Sequence, residues 1–142
     1  MNQDKLEQLF KKYERAFAKL EFEKIAELYT DTFISAGPKG TIAQNRNDFL
    51  DKAKQASEFY KSTGQNSAKI LSKKELSISK DYTMVTVHWG VTFEKTGDEV
   101  IQFDVSYIIQ ETDKEPKIIM FIAHQDEEEA MKELGLQPQM QK

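Results

Sequence analysis

The sequence predicts an α+β fold: N-terminal helices packed on one face of a curved antiparallel sheet, followed by a short C-terminal helix. Three observations predict it. Apolar residues recur every three or four positions through roughly the first 60 residues, the spacing of one helix face. From about residue 68 to residue 125 the spacing changes to two, the period of a half-covered strand. Helices followed by a run of strands give the layout in which helices gather on one sheet face.

Leu6, Leu9, Phe10, Tyr13, Phe17 and Leu20 form one stripe of a first amphipathic helix. After a bend at Leu20-Glu21-Phe22, the residues Phe22, Ile25, Ala26 and Tyr29 are spaced for a second helix, which Asp31-Thr32 should end. Phe33-Ile34-Ser35-Ala36 reads as a short extended piece closed by Gly37-Pro38 and Gly40. Asn45 or Asn47 can cap a third helix, whose face is Phe49, Ala53, Ala56 and Tyr60 and which Gly64 stops.

A strand then starts at Ile70-Leu71 and runs through Leu76 and Ile78 to a turn at Lys80-Asp81. Val85, Val87, Trp89, Val91 and Phe93 follow on odd positions, as do Ile101, Phe103, Val105, Tyr107 and Ile109. Both odd sets can share a face only across an odd-length loop, and Thr96-Gly97-Asp98 supplies one. That turn pairs Trp89 with Val105 and Val87 with Tyr107. The last strand, residues 118–125, is apolar on both faces, and the same parity sends Ile119, Phe121 and Ala123 to the odd face. Asp126 should cap a short helix that carries Glu127, Glu128 and Glu129 in its first turn and ends at Gly135. The whole of residues 1–136 reads as one domain, and residues 137–142 as a flexible tail.

With 142 residues the chain can bury roughly two thirds of its unfolded surface around a single core. The net charge of −4 argues against nucleic acid as a partner, because phosphate attraction needs a cationic surface. The absence of cysteine excludes disulfides, thiolate nucleophiles and thiolate metal ligands. A polar beginning and the lack of a long apolar run lead to the expectation of a cytoplasmic protein that does not bind membranes.

The stretch Ala18-Lys19-Leu20-Glu21-Phe22-Glu23-Lys24-Ile25-Ala26-Glu27-Leu28-Tyr29-Thr30-Asp31-Thr32-Phe33 resembles the helix-bend-helix-strand opening of SnoaL-like proteins in the nuclear transport factor 2-like superfamily. The glycine-bearing loop at residues 37–40, a helix with Phe49 near its start, and long strands ending near Ile122-Ala123-His124-Gln125 extend the resemblance over nearly the whole chain. Two departures bear on the pocket mouth. Leu20-Glu21-Phe22 replaces the small turn residues usual between the first helices, and residues 41–46 lengthen the loop before the third.

The resemblance implies a cone whose concave side holds a pocket, here lined by Tyr13, Phe17, Tyr29, Phe33, Trp89, Phe103, Tyr107 and Phe121, and whose outer sheet face makes a homodimer. It also implies a choice among isomerases, dehydratases, cyclases, hydrolases and proteins without chemistry, among which fold alone does not decide. Tyr13 is similar in place to the donor tyrosine of ketosteroid isomerase. The carboxylate base is missing, since the matching position reads Ser35-Ala36-Gly37-Pro38-Lys39. Large aromatics at strand spacing also fill ordinary cores, so the same residues admit a packed interior without a pocket.

On the even face the register sets Asp104 opposite Gly90 and His124, with His88 diagonal to it and Ser106 beside His88. This polar cluster reads as a subunit interface or a solvated surface, and His88, Asp104 and His124 together have the chemistry of a divalent-metal or catalytic trio. The reading carried forward is a homodimer that binds a small apolar or aromatic ligand, needs no metal or cofactor, and leans away from catalysis. The alternatives are an isomerase, dehydratase or hydrolase of the same fold, and an assembly domain using the even face.

Overall fold

The computed structural model describes residues 3–62, 64–94, 99–111 and 114–125. It contains helices α1 (Gln3–Ala18), α2 (Phe22–Ala26) and α3 (Arg46–Ser62), and strands β1 (Tyr29–Gly37), β2 (Gly40–Asn45), β3 (Gln65–Ser77), β4 (Tyr82–Phe93), β5 (Val100–Gln110) and β6 (Lys117–Ala123). The strands form one open sheet in the order β2-β1-β6-β5-β4-β3. All neighbours are antiparallel except β1 and β6, which run parallel, so the sheet is not the purely antiparallel one expected.

The apolar stripe of α1 buries Leu6, Leu9, Phe10 and Ala16 against the sheet. The helix ends in a double hydrogen bond, Leu20 N to Phe17 O at 3.1 Å and Glu21 N to Ala16 O at 2.8 Å. This closure needs a left-handed residue after the helix, usually glycine. Here Leu20 takes it with φ of 57°, at a cost of roughly 1 kcal/mol.

Two elements differ from the sequence reading. The helix after the bend is only five residues long, and Tyr29 belongs to β1, not to that helix. Helical spacing competed there with the β-branched and aromatic run Tyr29-Thr30-Asp31-Thr32-Phe33-Ile34. Pairing with β6 and β2 decided it. The lengthened loop at residues 41–46 is largely strand β2, folded back on β1 by a tight turn in which Gly40 takes φ of 137°. Asn45 caps α3, its Oδ1 accepting from Asp48 N at 2.9 Å, and Gly64, at φ of 73°, follows the helix end.

The β4–β5 register keeps the expected parity but lies two residues away: Trp89 faces Phe103, Val87 faces Val105 and Val85 faces Tyr107. Parity depends only on whether the loop length is odd, whereas the partner depends on where the loop is centred. The expected Thr96-Gly97-Asp98 turn lies outside the described residues, as do the C-terminal helix from Asp126 and the tail.

In β6 the pairing passes from Ile109↔Ile118 to Ile108↔Met120, so Ile119 is a bulge. Ile118, an even residue, is therefore fully buried in the core, and Ile119, expected there, is only partly buried. Beyond the bulge parity is restored, and Phe121 and Ala123 face the helices. A second bulge at Leu71 separates Ile70↔Trp89 from Ser72↔His88. Glu14 Oε2 of α1 accepts from Ile70 N beside this bulge at 2.7 Å.

Candidate functional site

Between the helices and the inner sheet face lies a cavity of about 310 Å³. Its size follows from what surrounds it: α1 crosses β3 and β4, α3 packs near β1 and β2, and the space between them is bordered by rings. Tyr13, Phe17, Tyr29, Trp89, Phe103, Tyr107 and Phe121 line it. Phe33 does not. It lies behind Tyr29, with ring centroids 4.5 Å apart, and against Phe49 at 5.6 Å, so it supports the wall from the core.

The cavity floor carries a small set of polar tips. Tyr13 and Tyr29 share a hydroxyl hydrogen bond of 2.9 Å, and Trp89 Nε1 donates to Tyr107 Oη at 3.0 Å. Tyr13 also packs edge-on against Tyr107 and tilted against Trp89. Burial, followed by the neighbouring Tyr13 and Tyr107, raises the Tyr29 phenol well above its ordinary range. Tyr29 therefore stays protonated near neutrality and serves as a hydrogen-bonding group, not as a base.

Further lining residues come from parts of the chain that the sequence reading did not assign to the pocket. Phe49, Lys52 and Ala53 come from α3, and Gln44 from β2. The α3 trio carried a usable signal, because residues three and four apart share a helix face and Phe49 was already placed inward. Gln44 carried none, since its segment read as a loop. Gln44 is only 8% exposed, and its buried Oε1 has no hydrogen-bond partner. Among the described residues no Asp, Glu or His borders the cavity, and Lys52 is the one lining residue of unit charge.

The outer face of the same strands is polar at its centre. His88 lies directly opposite Asp104, not diagonal to it, and Gln102 faces Gly90. His88 Nδ1 meets Asp104 Oδ1 at 2.7 Å and His88 Nε2 meets Gln102 Oε1 at 2.7 Å. The Gln102 and Asp104 acceptors raise the His88 pKa, and the His88 hydrogen bond lowers that of Asp104. Both side chains are a third exposed.

His124 turns elsewhere. Its backbone N–H donates to Asp104 O at 3.0 Å, while its Nε2 meets Ser106 Oγ at 2.8 Å, and Ser106 Oγ in turn lies 2.8 Å from Thr86 Oγ1. The four candidates thus form two separate pairs, His88 with Asp104 and Ser106 with His124. Among the described residues no group of three or more His, Cys, Asp or Glu side chains is arranged to hold a metal. Ser106 is 6% exposed, which leaves its hydroxyl little access to a substrate. Gly90 leaves room on this face for the Leu71 bulge. A Cβ there would stand 2.9 Å from Leu71 Cδ1 and 3.0 Å from Val100 Cγ1.

A family model described as NTF2-like protein (DUF6841) matches residues 3–126. The chain belongs to this NTF2-like family. Solved structures share the fold at low identity. An NTF2-like protein of unknown function from Shewanella oneidensis MR-1 is 18% identical, with a TM-score of 0.70 over 88% of this chain and 100% of that one. Another from Pseudomonas putida KT2440 has a TM-score of 0.71 at 8% identity, over 87% of this chain and 86% of that one. The beta subunit of the benzoate 1,2-dioxygenase from Burkholderia mallei is 14% identical, with a TM-score of 0.67 over 89% and 92% of the two chains. No curated protein matches. The NTF2-like fold of this chain has no helix, among the described residues, long and apolar enough to cross a membrane.

Proposed function

We propose that this NTF2-like chain binds a small apolar or aromatic molecule in its cavity and performs no acid–base chemistry there. The observation that carries this reading is the composition of the lining among the described residues: rings and aliphatic groups with a few hydroxyl, indole and amide tips and one lysine, and neither carboxylate nor imidazole. Ligand pockets have this make-up, whereas proton transfer needs a titrating group within reach of the substrate. The orphaned Gln44 Oε1 supports the reading further, because a buried acceptor without a donor costs about 1–3 kcal/mol and a bound hydroxyl or amide N–H would satisfy it.

Calorimetric titration with 2-naphthamide, a neutral two-ring probe, tests this. Binding is expected to the native chain and to be lost in Ala123→Phe and Ala53→Leu, which place bulk in the cavity. Equal heats from the native and both filled variants would overturn it.

The outer face supports a second part of the proposal, a homodimer. Leu71 and Val100 flank Gly90 there, and Leu76, 58% exposed, faces the same side opposite Met84. A cluster of exposed apolar residues around paired polar groups is the make-up of a protein interface. Sedimentation velocity is expected to give a dimer that Leu76→Glu weakens. A concentration-independent monomer would remove this part.

A further inference from the structure

Lys52 is the one charged side chain that lines the cavity among the described residues. It sits on α3 three residues after Phe49 and one before Ala53, so the three share a helix face along the cavity wall. It is exposed and also lines the cavity, the placement in which a lysine lays its aliphatic stem on apolar surface and keeps its ammonium in water. Nearby cations are engaged elsewhere. Arg46 donates to Tyr29 O and pairs with Asp31 at 3.2 Å, and Lys24 pairs with Glu21 at 3.5 Å. Among the described residues no hydrogen bond or ion pair occupies Lys52, although Asp48 and Asp51 lie on the same helix.

Resting on the binding reading above, we infer that the ligand is a small aromatic monocarboxylate, its ring among the aromatic walls and its carboxylate at the rim against Lys52. A cavity of about 310 Å³ is at the small end of ligand pockets and suits a body of one or two rings. Among the described residues an ammonium ligand would meet Lys52 and no lining carboxylate. A carboxylate placed in apolar surroundings without a counter-charge would lose its hydration uncompensated, so a neutral analogue would outcompete it. The net charge of −4 makes the same point, since general attraction disfavours an anion and any preference for one has to arise locally.

Three probes of one shape separate the cases: 2-naphthoate, 2-naphthamide and 2-naphthylmethylammonium, each titrated by calorimetry into the native chain, Lys52→Met and Lys52→Arg. The naphthoate is expected to bind about two- to fivefold more tightly than the amide, the range of one exposed ion pair. That advantage should vanish in Lys52→Met, persist in Lys52→Arg and shrink with added salt. An exposed helix position makes both substitutions compatible with folding, which thermal melts check. Amide binding equal to naphthoate, a preference for the ammonium, or an advantage that survives Lys52→Met overturns the inference and leaves the binding reading standing. No heat from any of the three overturns the binding reading and this inference with it.

Discussion

The two faces of one sheet, built from alternate residues of the same strands, have been given opposite chemistry. In β4 the odd residues Val85, Val87 and Trp89 are wholly buried, whereas between them Thr86 and His88 are partly open on the other side. The inner face collects rings and leaves a space among them. The outer face collects hydrogen-bonded pairs, His88 with Asp104 and Ser106 with His124, which satisfy one another in the plane of the sheet. Among the described residues, strand alternation has placed both imidazoles and the Asp104 carboxylate on the side of the sheet away from the cavity.

The largest expected effect lies on the inner face. Trp89→Ala removes a fully buried side chain that touches Tyr13, Phe17 and the Tyr107 hydroxyl. It should cost about 3–5 kcal/mol in urea denaturation followed by circular dichroism. A loss below about 1 kcal/mol would mean that the inner face is not the core.

The β6 bulge sharpens the comparison within two adjacent residues. Ile118→Ala should cost about 2–5 kcal/mol because Ile118 is fully buried, and Ile119→Ala much less. The reverse order would place Ile119 inward and shift the register of the whole strand. A smaller effect of opposite sign is expected at Gln44, where Gln44→Met removes the orphaned acceptor at nearly constant volume. It should raise stability by about 1 kcal/mol in the same assay, while unchanged or lowered stability would show that the amide is satisfied.

The outer face should respond least, and only through pH. The His88 pKa is raised, so its stabilisation is complete below the ordinary histidine value and fades as pH rises through the raised one. The Asp104 pKa is lowered, so its contribution is complete above the ordinary carboxylate value and fades as pH falls through the lowered one. The pair therefore contributes most between the two ordinary values. Asp104→Asn should lower the His88 pKa measured by NMR and barely change stability near neutrality, where an exposed pair is worth little. An unchanged His88 titration would separate the two side chains.

How much of this was legible in the sequence follows from the kind of signal each residue carries. Strand parity on β4 and β5 could be read because Val85 to Phe93 and Ile101 to Ile109 alternate without a break. The partner across the hairpin could not, since alternation is unchanged by a shift of two and Trp89 accordingly met Phe103. The bulge at Ile119 left no trace in a run of six apolar residues, Ile118-Ile119-Met120-Phe121-Ile122-Ala123, where either parity reads equally well. Phe33 could be recognised as buried, but whether a buried ring borders a space or another ring depends on what packs behind it. Gln44 was hidden for a different reason: β2 has no apolar alternation, and only its pairing with β1 makes it a strand.

One NMR titration reads both faces at once, because the chain has a single tryptophan and two histidines. Adding 2-naphthoate should move the Trp89 indole N–H resonance and leave the ring signals of His88 and His124 in place. Shifts at the histidines with an unmoved Trp89 would put binding on the outer face and contradict the account.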